Sequence, residues 1–428
     1  MTADERPAWR VEAAAGLTTF FTMAYIVVVN PAILAGSGTG MSFNAVLTAT
    51  VLLAASMTLA MGLYADLPFG VAPGMGINAF FAYSIVLGRG VPWPTALGMV
   101  FWAGALFAAL SLTPLRAELA RAIPENLRVA AAAGIGMFLT FIGLKNMGFI
   151  VADPATFVKM GTLDAKSLAS FAGLAVMAGL MRRKSPFAFL AGMGLVTGLS
   201  LAAGWVKPPE SAFATPDFSG LFALDLKGAL APALWGSVVA ILFTDLFDSI
   251  STFVGVSKAC GLVDKRGEPL RLKEGLVVDA FATLGAGLLG TSSGTAYIES
   301  AAGIEAGGRT GRTALVTGLC FLPCLFLAPL AALVPPQATA PVLVLVGALM
   351  FKSVGHLKLG ALEDAFPAFL TVVLIPLTFS ITQGLLWGFV SHAGFYALAG
   401  RRREVPAAAW GLAALSAALL FLEHGAGA

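Results

Sequence analysis

Residues 290–311 read GTSSGTAYIESAAGIEAGGRTG, a glycine-, serine- and threonine-rich run that carries Glu299 inside an otherwise strongly apolar chain. Two further stretches interrupt the apolar pattern in the same way. They are PFGVAPGMGINAFFAY at residues 68–83, which carries Asn78, and FTDLFDSISTFVGVSK at residues 243–258, which carries Asp245. Ionisable groups inside membrane segments are costly and mark functional positions. The three stretches therefore predict where the functional site lies.

The composition is that of a membrane protein. Hydrophobic residues make up 58% and charged residues 11% of the 428 residues, whereas soluble globular proteins carry roughly a quarter charged residues. The net charge is +3 and no basic cluster is interleaved with aromatic residues, so we expect no nucleic-acid partner. The N-terminal residues lack a small-residue cleavage site before the first apolar run, and we expect no cleaved signal peptide.

The apolar windows predict an all-α polytopic membrane protein with about 14 transmembrane spans, because a spanning helix needs about 20 mostly apolar residues. The predicted spans are residues 14–35, 43–64, 68–88, 92–113, 127–150, 166–181, 187–206, 231–257, 275–290, 292–307, 311–333, 338–355, 365–382 and 384–400. A fifteenth window, residues 407–424, follows three arginines at 401–403. Residues 118–128 predict an interfacial helix or loop.

The basic residues give the predicted topology. With a cytoplasmic N-terminus, 20 of the 26 Lys and Arg residues fall in cytoplasmic segments, as the positive-inside rule requires. Seven spans precede the polar loop at 207–230 and seven follow it. Because seven is odd, the second half begins on the opposite side of the membrane, which predicts two inverted seven-span repeats. Secondary transporters use this plan, with the site near the bilayer midplane.

Spans 3 and 10 are predicted to be broken, because glycine and proline disfavour an uninterrupted helix. In span 3 we predict extended backbone through residues 71 and 72 and a half-helix from residue 74 or 75. In span 10 we predict extended backbone over residues 291–295 and a half-helix that starts within residues 297–299. Irregular backbone at bilayer depth must be buried in protein or line a cavity. The two half-helix starts are therefore predicted to meet in a polar pocket.

Asn78 and Glu299 fall in the first turn of those predicted half-helices. An amide donates and accepts hydrogen bonds, and a carboxylate accepts from several donors. Such a set suits a planar heterocycle with N–H and C=O groups on its edge. The alternative role for Asn78 is a helix-packing hydrogen bond, worth about 0.6 kcal/mol in membranes. The alternative for Glu299 is an ion pair, although no Lys or Arg lies within two helical turns.

Span 8 carries two acids, Asp245 and Asp248, whose spacing of three places them on roughly one helix face. One acid is expected to bind substrate or a proton and the other to cap or pair locally, and the spacing does not decide between them. Asp279 in span 9 is a candidate cap for a broken segment. Glu305 and Arg309 are predicted to form an i,i+4 ion pair with a structural role.

The cysteines and histidines do not predict a site. Cys260, Cys320 and Cys324 are interpreted as packing residues, and the last two lie four apart on one predicted helix face. No histidine lies near them in the sequence, so we predict no metal site and no cofactor. The three histidines, at positions 356, 392 and 424, have no pattern of neighbours that indicates a role.

Four blocks together resemble the AzgA-like purine permeases, a branch of the nucleobase–cation symporters. They are TTFFTMAYIVVVNPAIL (18–34), APGMGINAFFAY (72–83), FTDLFDSISTFVGVSKACG (243–261) and GTAYIESAAGIEAGGRTG (294–311). A further segment, FPAFLTVVLIPLTFSITQG (366–384), also fits. The resemblance covers nearly the whole chain.

The resemblance implies a core domain, spans 1–4 and 8–11, that moves against a gate domain, spans 5–7 and 12–14. Residues 1–113 and 231–333 would form the core, and residues 114–230 and 334–428, with the C-terminal hydrophobic segment, the gate. The residues that the resemblance implicates in substrate binding are Asn78, Asp245, Tyr297, Ile298, Glu299, Thr22 and Phe80. Tyr297 and Ile298 would offer backbone groups, and Asp245 and Glu299 would also couple protons.

We therefore expect a proton-coupled importer of purine bases (hypoxanthine, guanine or adenine) in the cytoplasmic membrane. The expected partners are the base, a proton and the lipid bilayer, with a second copy of the chain as a candidate for a homodimer. One alternative is a permease of the same fold for uracil, xanthine or another small solute; the acid at Glu299 argues against an anion carrier. A remote alternative is an intramembrane aspartyl protease that pairs Asp245 with Asp248 or Asp279, although such catalysis needs facing acids on separate helices.

Overall fold

The computed structural model describes residues 7–36, 38–113, 124–264 and 267–424. The helices are α1 (Trp9–Met23), α2 (Ile26–Leu34), α3 (Phe43–Ala60), α4 (Met75–Ala79), α5 (Trp93–Leu112), α6 (Glu125–Asn146), α7 (Ala165–Arg182), α8 (Ala188–Ala202), α9 (Trp235–Ala259), α10 (Leu272–Leu289), α11 (Ser300–Glu305), α12 (Gly311–Phe321), α13 (Ala328–Ala332), α14 (Pro336–Phe351), α15 (Leu362–Leu377), α16 (Ile381–Leu398) and α17 (Ala407–His424). The strands are β1 (Val71–Pro73), β2 (Ile150–Asp153), β3 (Phe157–Met160) and β4 (Gly294–Ala296). Two π-helical segments, Met61–Ala65 and Phe80–Gly88, continue α3 and α4.

The helices make the chain a multi-pass membrane protein. Within the described residues, six helical segments are long and apolar enough to cross a bilayer: Trp9–Leu34, Phe43–Ala65, Trp93–Leu112, Glu125–Asn146, Pro232–Ala259 and Pro336–His356. Shorter apolar helices lie at Met75–Gly88, Ala188–Ala202, Gly311–Phe326 and Ala407–Phe421. Each of the 14 predicted spans overlaps one of the helices, while the number of crossings and the inverted repeat stay predictions.

Polar side chains at loop boundaries set several helix starts. The Ser42 hydroxyl accepts from the Ala45 N–H at the start of α3, and the Asp164 carboxylate accepts from the Ser167 N–H at the start of α7. The hydroxyls of Thr310 and Ser380 cap α12 and α16 in the same way. Such side chains satisfy backbone donors that have no partner within the helix. Of the predicted interfacial segment, residues 118–123 lie outside the described residues, and residues 125–128 form the first turn of α6.

The two predicted breaks are confirmed, and they meet. Strand β1 pairs with β4 in antiparallel fashion, with Val71 opposite Ala296 and Pro73 opposite Gly294. Helix α4 begins at residue 75, as predicted, and α11 begins at residue 300, one residue beyond the predicted range. Both strands are fully buried. The pairing satisfies backbone groups that would otherwise be exposed to an apolar interior.

The helices pack in two groups. The first helix group, residues 9–112 and 235–332, contains the β1–β4 pair, with α1 against α11 and α12, α5 against α9 and α10, and α3 against α2 and α12. The second helix group, residues 125–202 and 336–398, packs α6 against α14 and α15, α7 against α8 and α14, and α15 against α16. Helix α9 also contacts α6 and α16, so the acids of α9 lie close to the seam between the groups.

The last helix, α17, runs along α16. Leu419 and Leu420, near the end of α17, pack with Leu386, near the start of α16, and with Trp235, at the start of α9. Because α17 follows α16 after a short turn, these contacts make the two helices antiparallel over most of their length. The fifteenth apolar window therefore forms a packed helix in this fold.

Candidate functional site

The acids of α9 lie on two neighbouring polar stripes. Residues 244, 248 and 251 form one stripe at i, i+4, i+7 spacing, and residues 245, 249 and 252 form the other. The two stripes are offset by one residue, about 100° around the helix axis, and Asp245 and Asp248, three residues apart, lie about 60° from each other. Asp245 and Asp248 therefore share a side of the helix but face different neighbours.

The stripe of Asp245 faces α10 and the segment before β4. The Asp245 carboxylate is buried and accepts hydrogen bonds from the Ser293 hydroxyl, at 3.0 Å, and from the Thr283 hydroxyl. The neighbouring Ser292 hydroxyl donates to the side-chain oxygen of Asn78, which is also buried. Consecutive serines thus connect the two sequence-predicted residues, and Asn78 joins the two broken segments.

Asp279 of α10 fixes the position of β4. Its carboxylate accepts from the Ala296 N–H at 2.7 Å and from the Ser249 hydroxyl of α9. The Ser249 hydroxyl also lies 3.1 Å from the Thr295 hydroxyl. The prediction that Asp279 caps a neighbouring broken segment is confirmed.

Replacing Asp279 by alanine should lower both thermal stability and transport. The change leaves the buried Ala296 N–H without an acceptor, which costs about 1–3 kcal/mol. Thermal unfolding of purified protein in detergent measures the effect. Asp279→Asn retains a carbonyl oxygen for the Ala296 N–H and should unfold closer to the wild type, and Glu210→Ala, at an exposed loop position, serves as control. An Asp279→Ala protein as stable as the wild type would show that the contact does not hold β4.

The stripe of Asp248 faces a cavity at the seam of the two helix groups. The cavity has a volume of about 30 Å³. Its lining residues are Gly76, Ile77, Ala131, Ala132, Ile135, Thr244, Phe247, Asp248, Ser251 and Met350. Within the described residues, no Lys or Arg belongs to this lining, and the buried Thr244 hydroxyl has no hydrogen-bond partner. The wall thus offers an acid, a spare hydroxyl and an aromatic ring.

Glu299 immediately precedes α11, at the second broken segment. The Tyr25 hydroxyl donates to its carboxylate at 2.7 Å, and the Thr22 hydroxyl lies 3.4 Å from its backbone carbonyl oxygen. The Glu299 and Asp248 carboxylates are near enough to interact electrostatically. Glu299 is half-buried and the adjacent Ile298 is 56% exposed, but neither residue belongs to the lining of the cavity beside Asp248.

The remaining predicted residues lie in the surrounding structure. The Tyr297 hydroxyl donates to the Pro73 carbonyl oxygen, and the Tyr297 N–H donates to the Gly70 carbonyl oxygen at 2.9 Å. Phe80 is 1% exposed and is not part of the cavity lining. Tyr297 therefore holds the two broken segments together, and Phe80 is a buried core residue.

Two contributors were missed from the sequence. Tyr25, the hydrogen-bond partner of Glu299, lies 274 positions away in the chain, and no local sequence pattern indicates that contact. Thr244, by contrast, was detectable, because it precedes Asp248 by four residues and Ser251 by seven, a spacing that places the three on one face.

The predicted Glu305–Arg309 pair is wrong. Helix α11 ends at Glu305 and Gly307 has a φ of 110°, so Arg309 lies beyond the helix and i,i+4 geometry does not apply. The Glu305 carboxylate instead lies 2.9 Å from the Lys184 ammonium of the second helix group. The Arg309 guanidinium donates to the Cys260 carbonyl oxygen at 3.0 Å.

Aromatic pairs also join the two helix groups near this ion pair. The rings of Phe21 and Phe187 lie 4.7 Å apart, and those of Tyr25 and Phe189 lie 4.5 Å apart. Lys184 presents its side chain from a left-handed backbone conformation, with a φ of 55°. Packed rings and the Lys184–Glu305 ion pair therefore close the seam on the side where α11 ends.

Broken helices that meet as an antiparallel pair inside a multi-pass bundle, beside buried acids and a cavity, define a membrane transporter. The chain belongs to the permease family, whose sequence model matches residues 10–386. It is 41% identical over 398 residues to the adenine permease AdeP of Escherichia coli, covering 92% of this chain and 89% of that protein. It is 38% identical over 412 residues to the guanine/hypoxanthine permease PbuO of Bacillus subtilis, covering 94% of this chain and 95% of that protein.

A solved structure supports the fold. The transmembrane domain of a cyanobacterium bicarbonate transporter, BicA, superposes with a TM-score of 0.67 at 18% sequence identity, covering 89% of this chain and 97% of that chain. The family and the named relatives are permeases, which makes the chain a transporter and argues against the aspartyl protease.

Proposed function

We propose that this permease imports purine bases together with protons, across the cytoplasmic membrane and with its N-terminus in the cytoplasm. The relatives named as adenine and guanine/hypoxanthine permeases support the substrate class. The observation that carries the proposal is the cavity wall of α9, where Asp248 lies with the spare hydroxyl of Thr244. The Asp248 carboxylate is also near enough to that of Glu299, at the second broken segment, to interact electrostatically.

The chemistry of this wall suits a purine. Carboxylates accept hydrogen bonds from ring N–H and amino groups, and a hydroxyl both donates and accepts. The Phe247 ring offers a flat apolar surface for the bicyclic ring, and Gly76 lets the backbone of α4 come close to a ligand. We assign direct base contacts to Asp248 and Glu299, with Thr22 and the backbone of Tyr297 and Ile298 around the latter.

Proton coupling is assigned to Asp245 and Glu299, which have no basic partner among the described residues. A buried carboxylate without a paired cation is costly, so a proton or a donor group is required at Glu299 and at Asp245. Asp245 accepts from two hydroxyls and lies one stripe away from the cavity. We therefore propose that Asp245 carries a coupled proton. Through the hydrogen bonds of Ser293 to Asp245 and of Ser292 to Asn78, gain or loss of this proton would change the positions of the two broken segments.

Movement of the two helix groups would provide alternating access. We propose that the first helix group is the core and the second the gate. A cavity of about 30 Å³ has room for only one or two water-sized molecules, so a base requires the groups to separate along the seam. The ion pair between Lys184 and Glu305 and the ring contacts beside it would break when the seam opens on that side.

Uptake of radiolabelled hypoxanthine by cells that lack their own purine permeases tests the proposal. Unlabelled hypoxanthine, guanine and adenine should compete, whereas uracil should not. A protonophore should reduce accumulation, and acidification of the medium should increase it, because symport depends on the inward proton gradient. Uptake of radiolabelled uracil or xanthine without any uptake of hypoxanthine, guanine or adenine would assign another substrate, and accumulation that is insensitive to the protonophore would exclude proton symport.

A further inference from the structure

A second, larger cavity lies on the same seam. Its volume is about 470 Å³, within the range of about 300–1,000 Å³ typical of small-molecule pockets. It lies where α2 and α6 end and where α3 and α14 begin, and its lining includes Phe43, Tyr83, Lys145, Asn146 and Thr339. We call it the outer vestibule, because the predicted topology places these helix ends outside.

The outer vestibule and the inner cavity share three helical elements. Helix α6 contributes Ile135 to the inner cavity and Asn146 to the vestibule; α14 contributes Met350 and Leu343. The helix that starts with α4 contributes Ile77 to the inner cavity and, six residues later, Tyr83 to the vestibule. At 1.5 Å per residue these separations correspond to roughly 9–17 Å along the seam. A solute that reaches the inner cavity along this seam passes the vestibule.

The side chains of the vestibule match the edge and face of a planar base. Tyr83 of the first helix group and Asn146 of the second both line the vestibule, so a phenol and an amide face the same cavity where the groups meet. An amide can pair with an N–H and C=O edge, and the rings of Phe43 and Tyr83 offer flat surfaces. Lys145 is exposed in the same lining, and its ammonium would attract a ring carbonyl oxygen.

The two cavities differ in charge. Among the residues that the structure describes, the inner cavity has an acid and no Lys or Arg in its lining, whereas the vestibule lining has a lysine and no acid. A base with both N–H donors and a ring carbonyl can satisfy each in turn. Adenine lacks that carbonyl, so the vestibule favours oxopurines.

We propose that the outer vestibule is a second, weaker binding site for oxopurine bases, occupied before the base reaches the inner cavity. The assignment rests on the proposed function, since the same base is the ligand of both sites.

Site-specific thiol labelling tests the vestibule. Cys260, Cys320 and Cys324 are free, so a background with these three replaced by serine or alanine carries Leu87→Cys as the reporter, because Leu87 lines the vestibule and is 43% exposed. A membrane-impermeant thiol reagent applied from outside should modify residue 87, and hypoxanthine at about ten times the site's Kd should slow labelling about tenfold by mass action. Ala32→Cys, in the same lining, replaces the reporter if Leu87→Cys fails to fold.

The decisive measurement repeats the labelling in a protein that carries both the reporter cysteine and Glu299→Gln. If the vestibule binds the base itself, hypoxanthine protects the reporter in this variant as well, Asn146→Leu removes the protection, and adenine protects less than hypoxanthine. A cysteine at Ser211, in an exposed loop, should label at the same rate with and without base. Protection that disappears in Glu299→Gln would overturn the proposal, because it would arise from the inner site alone.

The outcome is separable from that of the proposed function. Purine uptake by the wild type without protection of the reporter in Glu299→Gln would retain the importer and reject the second site. Absence of purine uptake, with protection by uracil only, would reject the purine importer and the oxopurine site together.

Discussion

Replacing Glu299 by glutamine should abolish purine uptake while the protein stays folded. The Glu299 carboxylate, just before α11, accepts a hydrogen bond from the Tyr25 hydroxyl at 2.7 Å. It is the acid of the second broken segment. A hydrogen bond to a charged group is worth about 1.5–3 kcal/mol, which corresponds to about 10- to 100-fold in affinity. Glutamine also cannot release a proton, so accumulation against a gradient should be lost in addition to affinity.

Uptake of radiolabelled hypoxanthine by cells expressing each variant measures this effect. Glu210→Gln, at an exposed loop position, is the matched control and should transport as the wild type does. Membrane abundance and the thermal unfolding midpoint of Glu299→Gln should match those of the wild type. Wild-type uptake by Glu299→Gln would remove the residue from the site.

Replacing Asp248 by asparagine should mainly weaken base binding, whereas replacing Asp245 by asparagine should mainly abolish proton-driven accumulation. Asp248 lines the cavity, so Asp248→Asn should weaken base binding about 10- to 100-fold. Asp245 is bonded to the hydroxyls of Thr283 and Ser293 away from that cavity. Asp245→Asn should therefore bind base within about threefold of the wild type, a difference of less than 1 kcal/mol, and lose proton-driven accumulation.

Purified variants separate the two effects. Equilibrium binding of hypoxanthine reports base affinity, and accumulation in proteoliposomes with an imposed proton gradient reports coupling. Exchange of base across proteoliposomes without a gradient should persist in Asp245→Asn. The opposite pattern, with binding lost in Asp245→Asn and retained in Asp248→Asn, would exchange the roles of the two acids.

The break points of the fold were predictable from composition. Glycine, serine, threonine and proline at residues 68–76 and 290–295 interrupt two apolar segments, and those residue types disfavour a helix for local reasons. The structure confirms extended backbone and new helix starts at both places. The pairing of β1 with β4 follows once both segments are buried, because each can then satisfy the backbone groups of the other.

Which of the two acids of α9 faces the cavity was harder to predict. A spacing of three residues suggested one shared face for Asp245 and Asp248, whereas a rotation of about 60° between them is enough to direct one to α10 and the other to the cavity. Which stripe faces the seam depends on how α9 packs against α5, α6 and α10, and a single sequence does not specify that rotation.

Contacts between distant segments account for the remaining differences. Glu305 pairs with Lys184 of the other helix group, because the helix ends before Arg309 and the i,i+4 neighbour is missing. Tyr25 reaches Glu299 because α1 packs against α11. Both contacts join segments far apart in the chain, and local periodicity carries no information about them.

A structure of the protein determined with hypoxanthine bound tests the central claim most directly, namely that the base is held where the two broken segments meet. The predicted result is a base beside Gly76 and Phe247 whose polar edge is hydrogen-bonded to Asp248 and Glu299, with the two helix groups farther apart than they are here. A base bound elsewhere, beyond hydrogen-bond distance of both carboxylates and with no second base between them, would contradict the account.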